Sequence, residues 1–238
     1  MPALSLAYAY IRRMILKTKT AILGAAMVFA ACGSDDRDIA VTFDEWAAIN
    51  PSLAHYGPLH EEWVPTMGIH WGVPGPHLTV GVGHGGVVTV VEIIVPAAAG
   101  HHPWFDQPEG EPMELEGLGE VYTQHIWITE PDSVVEGEEP VAIALTHDAL
   151  VAANPALGQY EALSEYVPGM GFHYGVPGPA IVLVVGHDGE INGFELISPV
   201  EQGWFEWFDQ PEGEPMTIEG LGDVYTQHLY VVDPATIE

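Results

Sequence analysis

Residues 104–125, WFDQPEGEPMELEGLGEVYTQH, return as residues 207–228, WFDQPEGEPMTIEGLGDVYTQH, differing only at Glu114/Thr217, Leu115/Ile218 and Glu120/Asp223. The chain is one unit written twice. Met67, Gly68, His70, Gly72, Gly83, His84, Glu92, Pro96 and His125 all reappear 103 positions later. A one-residue slip between Tyr56/Tyr160 and Glu62/Glu165 changes the spacing to 104, which aligns Asn50-Pro51 with Asn154-Pro155 and Ile39 with Ile143. The repeats therefore run over 39–134 and 143–238, joined by an acidic linker at 135–142. A period of about 100 residues is domain-sized, too long for a solenoid unit and long enough for each copy to hold its own core.

Within each copy the pattern changes from helical to extended. Thr42-Phe43-Asp44-Glu45 has the spacing of a capping box ahead of a short helix over 43–49, which Asn50-Pro51 stops. Thr146 opens the second copy likewise, with Ala149 in place of the glutamate. Apolar segments then predict strands at 67–72, 78–83, 87–95 and 121–128, matched by 170–175, 181–186, 191–197 and 224–232. Gly83-His84-Gly85-Gly86 and Gly186-His187-Asp188-Gly189 read as hairpin turns. A helix followed by hairpin-connected strands predicts an α+β fold, in which each repeat is a short N-terminal helix and a mainly antiparallel sheet.

All five Lys and Arg residues lie at or before Arg37, whereas all but two of the 34 Asp and Glu lie after it. Such a polyanion, with a net charge of -29, excludes nucleic acid and anionic membrane surfaces as partners, because both are bound through Lys and Arg. Halophilic or marine surface chemistry accounts for the charge as well as cation binding does. Hydrophobic residues at 47% exclude a disordered acidic tail. Self-repulsion is screened over about 8 Å at physiological salt and over less in brine. The melting temperature is therefore expected to rise with ionic strength; a value unchanged from low to molar NaCl would contradict this.

Residues 1–32 read as a targeting segment. Met14–Lys19 is a short basic start, with Met14 the expected initiator, and Thr20–Ala31 is an apolar run too short to span a bilayer. Phe29-Ala30-Ala31-Cys32-Gly33 resembles a bacterial lipobox, and Cys32 is the single cysteine. That predicts a lipidated Cys32, a solvated tether at 33–38 and a lipid-anchored protein of the cell envelope, on the periplasmic or outer-membrane side. The membrane is then a partner through the anchor alone. The alternative is ordinary cleavage near Ala31 and secretion.

Strand parity sorts the histidines. In 67–72, His70 shares a face with Gly68 and Gly72, while Met67, Ile69 and Trp71 take the other; His173 repeats this between Gly171 and Gly175. Glycine inside a strand marks close approach, here of a ligand or metal, or of a packed neighbouring strand. Glu92 lies within VVTVVEIIV, and Glu195 corresponds to it. A carboxylate buried there needs a histidine or a bound cation, since no Arg or Lys is at hand; a solvent-facing position on an edge is the alternative. His125 and His228 stand beside Thr123/Trp127 and Thr226/Tyr230 on predicted strands, as core histidines or as ligands. Taken together, His70, Glu92 and His125, with His173, Glu195 and His228, offer two imidazoles and one carboxylate per repeat, a set that suits Zn, Fe(II) or Mn with open positions. Asp106, Glu109 and Glu111, repeated as Asp209, Glu212 and Glu214, put enough hard oxygen ligands in one loop to hold Ca²⁺, or simply form a solvated acidic loop. His55, His60, His77, His101, His102 and His147 have no counterpart in the other copy and read as incidental. No nucleophile-elbow, zincin, P-loop or dinucleotide motif is present.

The order Met-Gly-x-His, Val-Glu, a Gln-containing loop and x-His-x-Trp resembles a family of uncharacterised bacterial exported proteins. It is similar to a domain of a Thermus protein controlled by an extracytoplasmic sigma factor. The resemblance covers most of each repeat. It implies an α+β fold and places His70, Glu92, Gln107, His125 and Trp127, with His173, Glu195, Gln210, His228 and Tyr230, in the matching pattern; it implies no established activity. Three functions are compatible with these residues: a non-catalytic envelope-anchored binding protein holding one divalent cation per repeat, a metal-dependent hydrolase or oxygenase using the same residues, and a structural module with a buried His/Glu network.

Overall fold

A computed structural model describes residues 41–237. The lipobox, Cys32 and the tether lie outside the described residues. Two all-antiparallel six-stranded sheets carry the two repeats, and few residues are helical.

In the first repeat, α1 (Phe43–Ile49) begins at Thr42, whose hydroxyl accepts from the Glu45 amide while the Glu45 carboxylate accepts from the Thr42 amide. The strands follow as β1 (Gly57–Pro58), β2 (Ile69–Gly72), β3 (Thr79–Val82), β4 (Val88–Pro96), β5 (Met113–Leu115) and β6 (Gly119–Trp127), in the spatial order β1-β2-β3-β4-β6-β5. The second repeat has α2 (His147–Ala153), then β7 (Glu161–Ala162), β8 (Phe172–Gly175), β9 (Val182–Val185), β10 (Ile191–Pro199), β11 (Met216–Ile218) and β12 (Gly222–Tyr230), in the order β7-β8-β9-β10-β12-β11. Strands β1, β5, β7 and β11 are two- and three-residue edge pieces without a hydrophobic period. Sequence pattern alone therefore does not reveal them.

β2 is shorter than the expected 67–72. Gly68 adopts φ +91, and a Cβ there would stand 2.2 Å from the Val82 carbonyl oxygen, so the backbone turns before the strand begins. At Gly72 the space a side chain would need is taken by the His77 ring. The glycines beside His70 thus admit the protein's own backbone and a second histidine, as close packing within the sheet requires.

One face of each sheet is apolar. Val80, Val91, Ile93 and Ile126 are buried together, as are Leu183, Phe194, Leu196 and Leu229 in the second repeat. These residues do not close two separate cores. A single apolar cluster runs through both repeats, and Trp46 of α1 stacks on Phe194 of β10 with ring centroids 6.0 Å apart. Each helix lies against the other repeat's sheet, α1 on β12 and α2 on β6. A sheet with one apolar face needs a covering layer, and here each helix supplies part of it to the other repeat.

Candidate metal centres

The opposite face of each sheet carries the polar residues. In β4 and β6 the register sets Glu92 directly across from His125, and on the other side Thr79 of β3 faces Glu92. His70, on β2, faces Gly81 of β3, which has no side chain to stand between the imidazole and β4. The outcome is convergence: His70 Nε2 lies 3.7 Å from Glu92 Oε2, and His125 Nε2 lies 3.0 Å from Glu92 Oε1. The second repeat reproduces it, with His173 Nε2 and His228 Nε2 at 3.6 and 3.5 Å from the Glu195 carboxylate oxygens. Glu92 and Glu195 are only 6% and 4% exposed. Among the described residues these are the two groups of three or more His, Cys, Asp or Glu side chains whose donor atoms all lie within 4.8 Å of one another. Two ligands held at about 2.0–2.2 Å by a tetrahedral ion are roughly 3.3 Å apart, so the spacing fits such an ion.

Hydrogen bonds on the far side of three of the four rings fix which nitrogen carries the proton when the ring is neutral. The Asp106 carboxylate accepts from His125 Nδ1–H at 2.7 Å, and Asp209 accepts from His228 Nδ1–H at 2.8 Å. A carboxylate only accepts, so in the neutral rings both Nε2 lone pairs point inward. His60 Nδ1–H donates to the Glu62 carbonyl at 2.8 Å; its Nε2 must then accept from His70 Nδ1–H at 3.1 Å, which turns the His70 Nε2 lone pair inward too. In the second repeat the Ser164 hydroxyl lies 3.2 Å from His173 Nδ1. With its rings neutral, as a bound cation requires, the first repeat turns three acceptors on one point; without an ion, His125 keeps a proton on Nε2 and donates it to Glu92 at 3.0 Å. His228 Nε2, in a residue 7% exposed, is buried without a hydrogen-bond partner.

Charge distribution follows this geometry. Burial opposes charge on His125, but the carboxylates of Glu92 and Asp106 outweigh it and push the imidazole up to about 10. Burial would likewise raise Glu92, yet His125 and His70 hold it below the usual carboxylate range. Burial drives His70 down to about 4 against the pull of Glu92. In the second repeat burial pushes Glu195 up to about 7, with His228 countering only in part, and drives His173 down to about 4. The two glutamates differ in their neighbours: Glu92 accepts from His125 at 3.0 Å and has His70 and His77 nearby, whereas His228 stands 3.5 Å from Glu195 and the Asp209 carboxylate repels it.

Outside the donors, Gln107 holds the strand: its amide donates to Thr123 Oγ1 at 2.8 Å and accepts from the Thr123 amide at 2.7 Å, and Thr123 donates in turn to Asp106. Gln210, Thr226 and Asp209 repeat the chain. Trp127 stacks on His125 at 5.3 Å and Tyr230 on His228 at 5.6 Å. A partner that orients a metal-binding imidazole is as much part of such a site as the ligand itself. In the acidic loops Asp106 and Asp209 are drawn inward onto histidines, while Glu109, Glu111, Glu212 and Glu214 join no converging group of three or more such side chains among the described residues. His60 was invisible to repeat comparison because Ser164 occupies the corresponding position. A broad cleft is lined by both triads, together with Trp127 and Tyr230.

Comparison with models of known protein families, with curated proteins and with solved structures finds no match for this chain. The resemblance drawn from its motifs rests on those motifs alone. No helix among the described residues is long and apolar enough to cross a membrane.

Proposed function

We propose that this protein binds one divalent transition-metal ion in each repeat, through His70, Glu92 and His125 and through His173, Glu195 and His228, and that it does so at the cell envelope, anchored by Cys32. The observation that carries the reading is the convergence of two imidazole Nε2 atoms and one carboxylate in each repeat, above all the buried His228 Nε2 with no partner of its own. A buried acceptor facing a carboxylate is costly unless a cation or proton lies between them. Two imidazoles and one carboxylate suit Zn, Fe(II) or Mn better than a hard Ca²⁺, which prefers six or more oxygens. Three protein donors leave further positions open, and the adjoining cleft favours a second reading in which water or substrate enters there, giving a metal-dependent hydrolase or oxygenase.

Metal analysis of the purified protein by mass spectrometry, after loading and dialysis, tests the first reading. About two equivalents per chain are expected from the two clusters. A protein that retains none after exposure to Zn²⁺, Fe²⁺ and Mn²⁺ would leave the His/Glu sets as hydrogen-bonded structural networks.

A further inference from the structure

The outer edge of β6 is clamped on both sides of His125. On the N-terminal side its own repeat does this, since the Asp106 amide donates to the Thr123 carbonyl and Gln107 accepts from the Thr123 amide. On the C-terminal side the clamp comes from the other repeat: Asn154, the cap at the end of α2, accepts from the Trp127 amide at 2.8 Å and donates to the Trp127 carbonyl at 3.0 Å. β12 mirrors this arrangement. Asn50, at the end of α1, accepts from the Tyr230 amide at 2.7 Å and donates to the Tyr230 carbonyl at 2.8 Å. Trp127 and Tyr230 are the rings that stack on His125 and His228.

A second pair of bonds crosses in the same sense. Gln124, the residue before His125, donates to Tyr160 Oη at 2.7 Å and accepts from the Ile181 amide at 2.9 Å. Gln227, the residue before His228, donates to Tyr56 Oη at 2.9 Å and accepts from the Leu78 amide at 2.9 Å. β6 and β12 are thus held immediately before and two residues after His125 and His228 by the repeat that does not contain them.

We propose that each metal centre is built jointly by the two repeats, with Asn154 and Tyr160 acting as positioning residues for the centre at His125, and Asn50 and Tyr56 for the centre at His228. Resting on the metal reading above, this makes the duplicated chain the smallest unit able to form either centre. A single asparagine then influences the distant centre more than the one its own repeat carries.

The test uses the full chain with one centre disabled at a time. In a His70→Ala background only the second centre remains, and its Zn²⁺ affinity is read by competition with a chromophoric chelator. Asn50→Ala is expected to weaken it about tenfold, in the range seen for orienting partners, while Asn154→Ala leaves it within about twofold. In a His173→Ala background the pattern reverses. Both asparagines cap a helix equally, so a loss of general stability moves both affinities together and does not produce the crossing; urea midpoints recorded alongside make that visible. Tyr56→Phe and Tyr160→Phe, which remove one hydroxyl each, provide the same crossed comparison should an asparagine variant fail to fold. Equal losses in both backgrounds, or a loss confined to the asparagine's own repeat, would overturn the proposal and leave the metal reading standing. Absence of Zn²⁺ uptake in both single-centre backgrounds and in the unaltered chain would overturn the two together.

Discussion

A His70→Ala/His173→Ala variant is expected to remain folded and to hold no divalent metal after dialysis. Each substitution leaves one imidazole and one carboxylate at its centre, and loss of a direct ligand costs at least the roughly 100-fold that the loss of an orienting neighbour can cost. The single variants should keep about one equivalent each, because the two clusters share no ligand. Neither histidine carries a charge that the fold depends on, since burial drives both down to about 4 and both are neutral at pH 7. The stability cost should therefore stay within the ordinary range for a buried truncation, about 1–3 kcal/mol. Mass spectrometry of the dialysed protein beside a urea titration separates the two effects. Two equivalents retained by the double variant would move the ligand set elsewhere.

Trp46→Ala is expected to lower the free energy of unfolding by about 3–5 kcal/mol, the range for deleting a large buried aromatic. Trp46 is fully buried, and its stacking partner Phe194 belongs to the second repeat, so the cavity opens in the shared part of the core. Because the apolar cluster is continuous, tryptophan fluorescence and far-ultraviolet circular dichroism should report one coincident transition for both repeats, in the variant as in the parent. Two separable transitions, or a loss below about 1 kcal/mol, would show that each copy keeps a core of its own.

How much of this was legible in the sequence depends on the range of the contacts involved. Parity along a strand is a local signal, and it correctly placed Glu92 among Val90 and Ile94, and His125 with Thr123 and Trp127. Duplication kept His70, His84 and His125 of the first copy's histidines, and the hairpin-turn position set His84 aside, without any knowledge of the register that sets Glu92 opposite His125. The same duplication misled at His60. A histidine present in one copy looks dispensable, yet it fixes the His70 tautomer, while Ser164 stands beside His173 with a smaller side chain and a different hydrogen-bonding capacity. Asn50 and Asn154 were legible as helix ends, a role each does perform by capping Trp46 and Leu150 carbonyls. Their second role, across the repeat boundary, has no period and no motif, because it joins residues 180 and 27 positions apart. In the acidic loops composition shows how many carboxylates there are, and is silent on which of them turn inward, as Asp106 and Asp209 do.

The reciprocal asparagine and glutamine bonds also set the order in which the molecule can take shape. Leu78 and Tyr56 wait for Gln227, which follows them by 149 and 171 residues, and Asn50 waits for Tyr230. Loop closure over such distances is slow, and its cost falls due before the contacts reward it. On an emerging chain the first repeat can pair its strands early but lacks the side chains that finish it. The second, made last, meets a partner already waiting. The half synthesised first is therefore completed by the half synthesised last, and until then the apolar face under α1 stands open to whatever else is near.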